Sequence, residues 1–125
     1  MSDVNISVSI QTNKDAIKEA SDEAIARALE MIGMQAENYA VMELEKPKEH
    51  GDGTIRPNVQ TGRLVGSITH QRFDETTEAI GTNVEYAAYV ELGTSRAMAY
   101  PFLRPAVEEH VEEYKQIVDE CLRNG

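Results

Sequence analysis

The chain has 125 residues, of which 41% are hydrophobic and 27% are charged, a composition typical of a folded globular domain. Its formal net charge of −10 argues against a surface that holds duplex nucleic acid through many Lys and Arg contacts to phosphates. No apolar run approaches the roughly 20 residues that span a bilayer, and the opening MSDVNISVSI lacks the basic and apolar regions of a signal peptide. We therefore expect a single domain without a membrane segment, made and kept in a cytosol.

The first two predicted elements are a strand and a long helix. Apolar and polar residues alternate over Val4–Ile10, which predicts a half-buried strand within residues 1–12. Thr12 followed by Asp15 resembles a capping box, and the sequence after it is rich in Ala, Glu and Met and free of Pro. We predict a helix of about 30 residues within residues 13–45, about 45 Å long at about 1.5 Å per residue.

The predicted helix carries one apolar stripe that is rich in Ala, so a partner backbone can approach it closely. The stripe consists of Ile17, Ala20, Ala24, Ala28, Met31, Ile32, Gln35, Tyr39 and Met42. A helix of this length extends beyond what a small domain covers. We therefore expect another subunit to complete part of the apolar face.

Residues 46–60 predict a loop. Pro47 ends the helical pattern, and the sequence KEHGDGTIRPNVQ combines Gly, Pro and mixed charge without a clear period. Loops of this length are uncommon in compact domains unless they are functional or mobile. We expect either a mobile connector or an arm that becomes ordered only against a neighbour.

A short helical turn and a hairpin are predicted next. Thr61 is placed to cap a turn that carries Leu64 and Val65. Strands near Ser67–Phe73 and Glu78–Thr82 are then separated by a turn sequence, which predicts an antiparallel hairpin.

Two helices complete the predicted order. The segment Tyr86–Leu92 fits a helical face although its residue types favour a sheet, and Gly93 directly after it favours a helix capped by glycine. Pro101 and Pro105 bracket three residues, and Pro105 suits the first turn of a last helix, within residues 101–124. The predicted order is strand, long helix, loop, hairpin, short helix and long helix.

Patterns for metal and cofactor binding are absent from the sequence. His50, His70 and His110 form no HExxH pair and belong to no Cys/His cluster, so we predict no metal site. A site shared by His110 and Glu113 on one helix face stays open as an alternative. The glycines do not have the spacing of a phosphate loop, so no cofactor is expected.

Two carboxylates beside tyrosines are the nearest approach to catalytic chemistry. Glu85 and Glu91 flank Tyr86 and Tyr89, which leaves open an acid and base pair. We instead expect Glu91 to cap or bond the backbone near Gly93-Thr94. We assign no catalytic residue.

The C-terminal helix holds the only cysteine and a concentration of acid. Cys121 continues the helical spacing of Leu103, Val107, Val111, Tyr114 and Val118, so we expect a packed apolar residue rather than a reactive thiol. The acidic residues are Glu108, Glu109, Glu112, Glu113, Asp119 and Glu120. We expect a solvated helix face or, alternatively, a surface that repels passing DNA or meets a basic partner.

Three segments carry a resemblance to a known family. They are TGRLVGSI at Thr61–Ile68, VEYAAYVELGTSR at Val84–Arg96 and PFLRPAVEE at Pro101–Glu109, in this order after a long helix. Together they resemble the gene-product-ten-like minor structural family of tailed bacteriophages, whose members are neck or tail-completion proteins. The resemblance covers about residues 16–122. It implies an α+β fold in which a small antiparallel sheet packs against a long N-terminal helix and a C-terminal helix.

The resemblance also implies a function. Its members are virion proteins of the head-tail junction in long-tailed phages and prophages, made in the host cytoplasm, and are not enzymes. It implies subunits that form a ring, expected to be sixfold, around the DNA channel. The partners would be other neck and tail proteins, with DNA only as passing cargo and no membrane. The alternatives are a monomeric acidic adaptor or inhibitor of a basic partner and, more remotely, a small hydrolase.

The family motif supplies the candidate interface. Its residues are Thr61, Gly62, Leu64, Ser67, Ile68, Gly81, Thr82, Tyr86, Tyr89, Glu91, Gly93, Thr94, Pro101, Phe102, Leu103, Arg104 and Pro105. Phe102 and Leu103, held between prolines, lose little freedom on docking, and Arg104 can make a forked contact with a carboxylate. The alternative packs Phe102 and Leu103 inside the core of their own subunit.

Overall fold

The structure is a computed structural model, and it describes residues 6–11, 21–49, 55–56, 62–95 and 98–124. Its elements in chain order are β1 (Ile6–Gln11), α1 (Asp22–Glu45), β2 (Lys48–Glu49), β3 (Ile55–Arg56), α2 (Gly62–Val65), β4 (Thr69–Asp74), β5 (Thr77–Thr82), α3 (Ala87–Leu92), α4 (Leu103–Glu108) and α5 (Val111–Asn124). The helix α1 packs against the β4–β5 hairpin and against α4 and α5. The predicted α+β fold is confirmed.

The helix α1 begins later than the sequence predicted. Ser21 has an extended backbone, with ψ at 153°, and its side chain accepts a hydrogen bond from the Ala24 N–H at 3.1 Å. Ser is a strong N-cap, and it ends the helix on this side. The prediction of one helix over residues 13–45 is therefore wrong at its start, because a continuous helix cannot include the extended backbone of Ser21. The helix α1 has 24 residues. Thr12 and Asp15, the predicted capping box, lie outside the described residues.

The buried face of α1 also differs from the predicted stripe. The buried residues are Ala24, Ala28, Leu29, Ile32, Gly33, Ala36, Ala40, Glu43 and Leu44. Met31 and Met42 are exposed, and Gln35 and Tyr39 are half-buried at the edge of this face. Ala24, Ala28 and Ile32 of the predicted stripe are buried as expected, and Ile17 and Ala20 lie outside the described residues. Small side chains on the buried face let the helix lie close to the hairpin and to α4.

The main sheet has the strand order β1-β5-β4 and is antiparallel throughout. The register pairs Ile6 with Thr82 at one end of β1 and Gln11 with Thr77 at the other. The side chain of Asp74 accepts a hydrogen bond from the Thr76 N–H at 2.9 Å, which closes the turn between β4 and β5. The predicted hairpin is confirmed.

The region predicted as a loop contains a second, smaller sheet. The strands β2 and β3 pair antiparallel, with Lys48 opposite Arg56 and Glu49 opposite Ile55. A ladder of two residue pairs is too short to produce the alternation from which a strand is predicted. The predictions of a mobile connector or an ordered arm fall on residues 50–54 and 57–60, which lie outside the described residues.

The short helix before Gly93 is confirmed. Its backbone ends with a hydrogen bond from the Gly93 N–H to the Tyr89 carbonyl at 2.8 Å. Gly93 has φ at 79°, in the region that glycine adopts without a steric cost. The ambiguity between strand and helix is settled by the helical hydrogen bonds of this segment, which include Val90 N–H to the Tyr86 carbonyl at 3.2 Å.

The predicted last helix is two helices. Glu109 and His110 form a turn between α4 and α5. In a continuous helix the Ala106 carbonyl would accept from the residue 110 N–H, but it accepts from the Tyr114 hydroxyl at 2.5 Å instead. The single helix predicted within residues 101–124 is therefore wrong. Pro105 lies in the first turn of α4, as predicted.

The core lies between α1, the hairpin and the helices that follow it. Phe102 and Leu103 are fully buried in the same cluster as Ala36, Leu64 and Ile80. Of the two predicted alternatives, packing inside their own subunit is therefore correct for Phe102 and Leu103, and docking onto a neighbour is not. Cys121 is buried, which confirms its packed role, whereas Val111 is exposed because the helix break rotates it away.

This core position makes a prediction for Phe102→Ala. Removing a fully buried aromatic side chain should lower the free energy of unfolding by about 3–5 kcal/mol, measured by urea denaturation. The control is Phe73→Ala, since Phe73 is 73% exposed and its loss should change stability by less than about 0.5 kcal/mol. Equal stabilities for the two variants would contradict the core assignment.

Candidate subunit interface

A buried carboxylate organises the family segment. Glu91 accepts hydrogen bonds from the N–H groups of Phe102 and Leu103, both at 2.8 Å, and of Arg104 at 3.1 Å. These N–H groups lie at the start of α4, where they have no partner within the helix. The carboxylate supplies that partner and lies at the positive end of the helix dipole. Glu91 thus bonds backbone, as predicted, but at residues 102–104 rather than at Gly93-Thr94.

Tyr100 makes a second link between distant segments. Its N–H donates to the Val90 carbonyl at 2.7 Å. Its hydroxyl donates to the Leu44 carbonyl at 3.1 Å and also contacts the Lys46 carbonyl. The last carbonyls of a helix lack partners within it, so the tyrosine hydroxyl closes the end of α1. Sequence reasoning gave Tyr100 no role.

The first motif segment meets the end of β5 through two hydroxyls. Ser67 Oγ donates to the Leu64 carbonyl at 2.7 Å and lies 2.5 Å from Thr82 Oγ1. The same Thr82 oxygen accepts from the Val84 N–H at 3.1 Å. Since the Ser67 proton goes to Leu64, Thr82 donates to Ser67. Each hydroxyl of this partly buried pair then both donates and accepts a hydrogen bond.

The other carboxylate of the tyrosine segment lies in an exposed ion pair. Two nitrogens of Arg63 each lie 2.8 Å from an oxygen of Glu85. This contact lowers the pKa of Glu85, because the guanidinium stabilises the charged carboxylate. Both side chains are exposed, so the pair contributes little to stability. Glu85 and Glu91 have separate structural partners and do not form an acid and base pair.

Most motif residues are internal. The buried ones are Leu64, Ile68, Gly81, Thr82, Glu91, Phe102 and Leu103; the half-buried ones are Ser67, Tyr86, Gly93, Pro101 and Pro105. The exposed ones are Gly62, Tyr89, Thr94 and Arg104, and Thr61 lies outside the described residues. Most motif residues therefore stabilise the subunit from inside, and only a few of them are exposed to a partner.

Two exposed apolar side chains lie on α3 beside the Glu91 contact. Tyr89 and Leu92 are 63% and 68% exposed and lie three residues apart on the helix. Met98, which is 58% exposed, follows α3 in the chain, shortly before Tyr100 donates a hydrogen bond to Val90. We refer to Tyr89 and Leu92 as the α3 patch. Leu92 and Met98 were missed from sequence, although an inward Glu91 would have implied an outward Leu92.

A polar cluster joins α1 to α5. Glu113 accepts from Gln35 Nε2 at 2.7 Å and from the Tyr39 hydroxyl, and the His110 ring stacks on Tyr39 at 3.5 Å. The Tyr39 hydrogen bond, the largest of several effects, lowers the pKa of Glu113. Glu113 is thus part of a helix contact rather than of a solvated face. The alternative of a metal shared by His110 and Glu113 is not supported, because both side chains are engaged with α1.

The comparisons with known proteins agree with the motifs. A family model described as "Bacteriophage HK97-gp10, putative tail-component" matches residues 9–93, more than half of the chain. The match is to a class of phage structural proteins. The chain belongs to this HK97-gp10-like family of phage tail components, as the motif order predicted. Searches of curated proteins and of solved structures gave no match. Among the described residues, no helix has the length and apolar character needed to cross a bilayer.

The Glu91 contact predicts the effect of Glu91→Gln. Glutamine keeps the shape but replaces one acceptor oxygen by a donor, so at least one buried N–H of residues 102–104 loses its partner. We expect the free energy of unfolding at pH 7 to fall by about 1–3 kcal/mol, measured by urea denaturation. Glu85→Gln is the matched control and should leave stability nearly unchanged. A similar loss in both variants would show that Glu91 has no special role.

The helix contact at Glu113 predicts a pH dependence for Tyr39→Phe. Because Tyr39 lowers the pKa of Glu113 in the folded state, its stabilisation is present above the unfolded pKa and disappears as pH falls through the folded value. We expect Tyr39→Phe to cost about 1 kcal/mol at pH 7 and progressively less below a pH of about 4. Urea unfolding curves of the variant, the wild type and the control Tyr89→Phe, recorded at pH 7 and below a pH of about 4, measure this cost. A cost that stays constant with pH would contradict it.

Proposed function

We propose that the protein is a neck or tail-completion subunit at the head-tail junction, and that it acts by assembling into a ring, sixfold as the resemblance implies, around the DNA channel. The observation that carries this proposal is the α3 patch, an exposed apolar surface within the residues that match a phage tail-component family. Other neck and tail proteins are the remaining partners. The place of action is the assembled virion, and the role is structural rather than enzymatic.

The α3 patch has the features of a contact surface. Monomeric proteins rarely expose several large apolar side chains together, because water then contacts surface that a partner would bury. Tyrosine is also enriched at protein interfaces. The patch lies on a short helix held by Glu91, so its side chains are presented by a rigid backbone. Little backbone freedom would be lost on docking.

A ring also needs a second, different surface, because each subunit contacts the next head to tail. The strand β4 offers one. It lies at the edge of the sheet, nearly all of it is exposed, and Phe73 projects from it into solvent. Edge strands carry unpaired backbone groups that can add a strand from a neighbour. We propose that the α3 patch of one subunit meets the β4 edge of the next.

The acidic residues support DNA passage rather than DNA binding. Glu108, Glu109, Glu112, Asp119 and Glu120 are exposed on α4, α5 and the turn between them. A wall of this charge repels phosphates, so DNA can pass without being retained. The same surface also favours the second candidate function, a monomeric acidic adaptor that blocks a basic partner. That function leaves the α3 patch without a role.

The assembly proposal predicts the effect of the double substitution Tyr89→Ser and Leu92→Ser. Both side chains are exposed, so the subunit should fold with nearly unchanged stability. We expect it to fail to occupy the head-proximal end of tails in electron micrographs of subunit and tails mixed together. It should also fail to restore infectivity to a phage that lacks the gene.

The control and the opposing outcome separate the two functions. Val111→Ser removes an exposed apolar side chain from α5 and should leave tail occupancy intact. Tail occupancy equal to wild type in the double variant would exclude the α3 patch as the interface. A wild-type protein that never occupies tails and binds a basic protein as a monomer would favour the adaptor.

A further inference from the structure

Polar side chains from three elements converge over one glycine of α1. A Cβ atom at Gly33 would lie 2.4 Å from Oε2 of Glu78 on β5 and 2.6 Å from Cδ2 of His70 on β4. Both groups therefore occupy the space that a side chain at position 33 would fill. Glu30 and Glu37, on the same helix, reach His70 from either side of this point. The absence of a side chain at Gly33 lets α1 approach the hairpin at its polar groups.

The imidazole of His70 lies between two carboxylates. Its Nδ1 is 3.0 Å from Oε1 of Glu37, and its Nε2 is 3.1 Å from Oε1 of Glu30. A neutral imidazole has a proton on only one nitrogen, so its other nitrogen would direct a lone pair at a carboxylate. A lone pair facing a carboxylate requires a cation between the imidazole nitrogen and the carboxylate oxygen, either a proton or a metal ion. A carboxylate on one ring nitrogen is also the usual orienting partner of a metal-binding histidine.

Glu78 adds a buried carboxylate to the same place. The residue is 1% exposed, and its Oε2 has no hydrogen-bond partner within the part of the chain that the structure describes. A buried carboxylate without a partner is costly, and burial raises the pKa of Glu78 to about 7. Arg72 lies opposite Glu78 in the ladder, but its guanidinium donates to the carbonyls of Asp74 and Glu75. Glu78 therefore lacks a hydrogen-bonded counter-ion from β4.

We propose that Glu30, His70 and Glu78 bind a divalent transition-metal ion of the Zn²⁺ class. One ligand atom from each residue lies within 4.8 Å of the others, and the separation of Nε2 and the Glu30 oxygen is already that of two ligands on one ion. Imidazole together with carboxylates suits Zn²⁺ and its neighbours better than Mg²⁺ or Ca²⁺, which prefer oxygen ligands alone. Glu30 is largely exposed and can move toward the ion.

The site has a consequence for the fold. Its three ligands come from α1, β4 and β5, so a bound ion would join the helix to both strands of the hairpin. An ion that binds only the folded state stabilises it by mass action. Glu37 would act as a positioning residue, since it contacts Nδ1 of His70 and fixes the ring.

Metal titration of the full chain tests the proposal. Protein treated with a chelator is titrated with Zn²⁺ by calorimetry, and with Co²⁺ while its visible absorption is followed. We expect one ion per chain and a higher melting temperature with Zn²⁺, with no comparable effect of Mg²⁺. Glu78→Gln and His70→Gln should each weaken binding by at least about 100-fold, and Glu37→Gln by about 10–100-fold.

His110→Gln is the matched control, because it removes a histidine that stacks on Tyr39 outside the proposed site. It should retain wild-type affinity. Far-UV circular dichroism checks that each variant folds. If a variant at a buried position does not fold, Glu30→Gln provides the test, because Glu30 is exposed. The absence of saturable Zn²⁺ and Co²⁺ binding would overturn the proposal and assign the cation at His70 to a proton. Binding that survives both Glu78→Gln and Glu30→Gln would overturn it equally.

Discussion

The contact of the Glu91 carboxylate with the first N–H groups of α4 is the constraint on which the C-terminal half depends. It fixes α3 against α4, and two of the residues that it bonds, Phe102 and Leu103, are themselves fully buried. Because Ala87 and Glu91 face inward, four residues apart, Tyr89 and Leu92 must face outward on so short a helix. A single buried charge thus determines both the core packing of this region and the surface that it presents.

The parts of the fold that could be predicted are those whose signals are local. The hairpin follows from two strand patterns around a turn, and α3 follows from the glycine that ends it. The start of α1 and the break before α5 could not be predicted with equal ease. Ser21 interrupts a sequence that otherwise favours a helix, and the break at His110 depends on the Tyr114 hydroxyl contacting the Ala106 carbonyl. In both places a side-chain hydrogen bond to the backbone outweighs the helix propensity of the surrounding residues.

The candidate interface shows a related limit. Bulky residues and prolines in the family motif suggested docking, yet Phe102 and Leu103 are core, because their side chains pack in the cluster that includes Leu64 and Ile80. The cluster over Gly33 was missed for a different reason. Its members are far apart in sequence, and only the strand register and the packing of α1 bring them together. One local signal did exist: Glu78 shares its strand face with Ile80 and Thr82, and a carboxylate on an inward face requires a partner.

Under the proposed function, charge and apolar surface have opposite effects on assembly. A subunit with a net charge of −10 repels its own copies, and at physiological salt this repulsion acts over about 8 Å. Apolar contact at the α3 patch and the β4 edge acts only when two subunits are already adjacent. Free subunits would then stay separate, while a partner ring that aligns them would allow the short-range contact to prevail. The acidic surface proposed to repel passing DNA would then also prevent premature assembly.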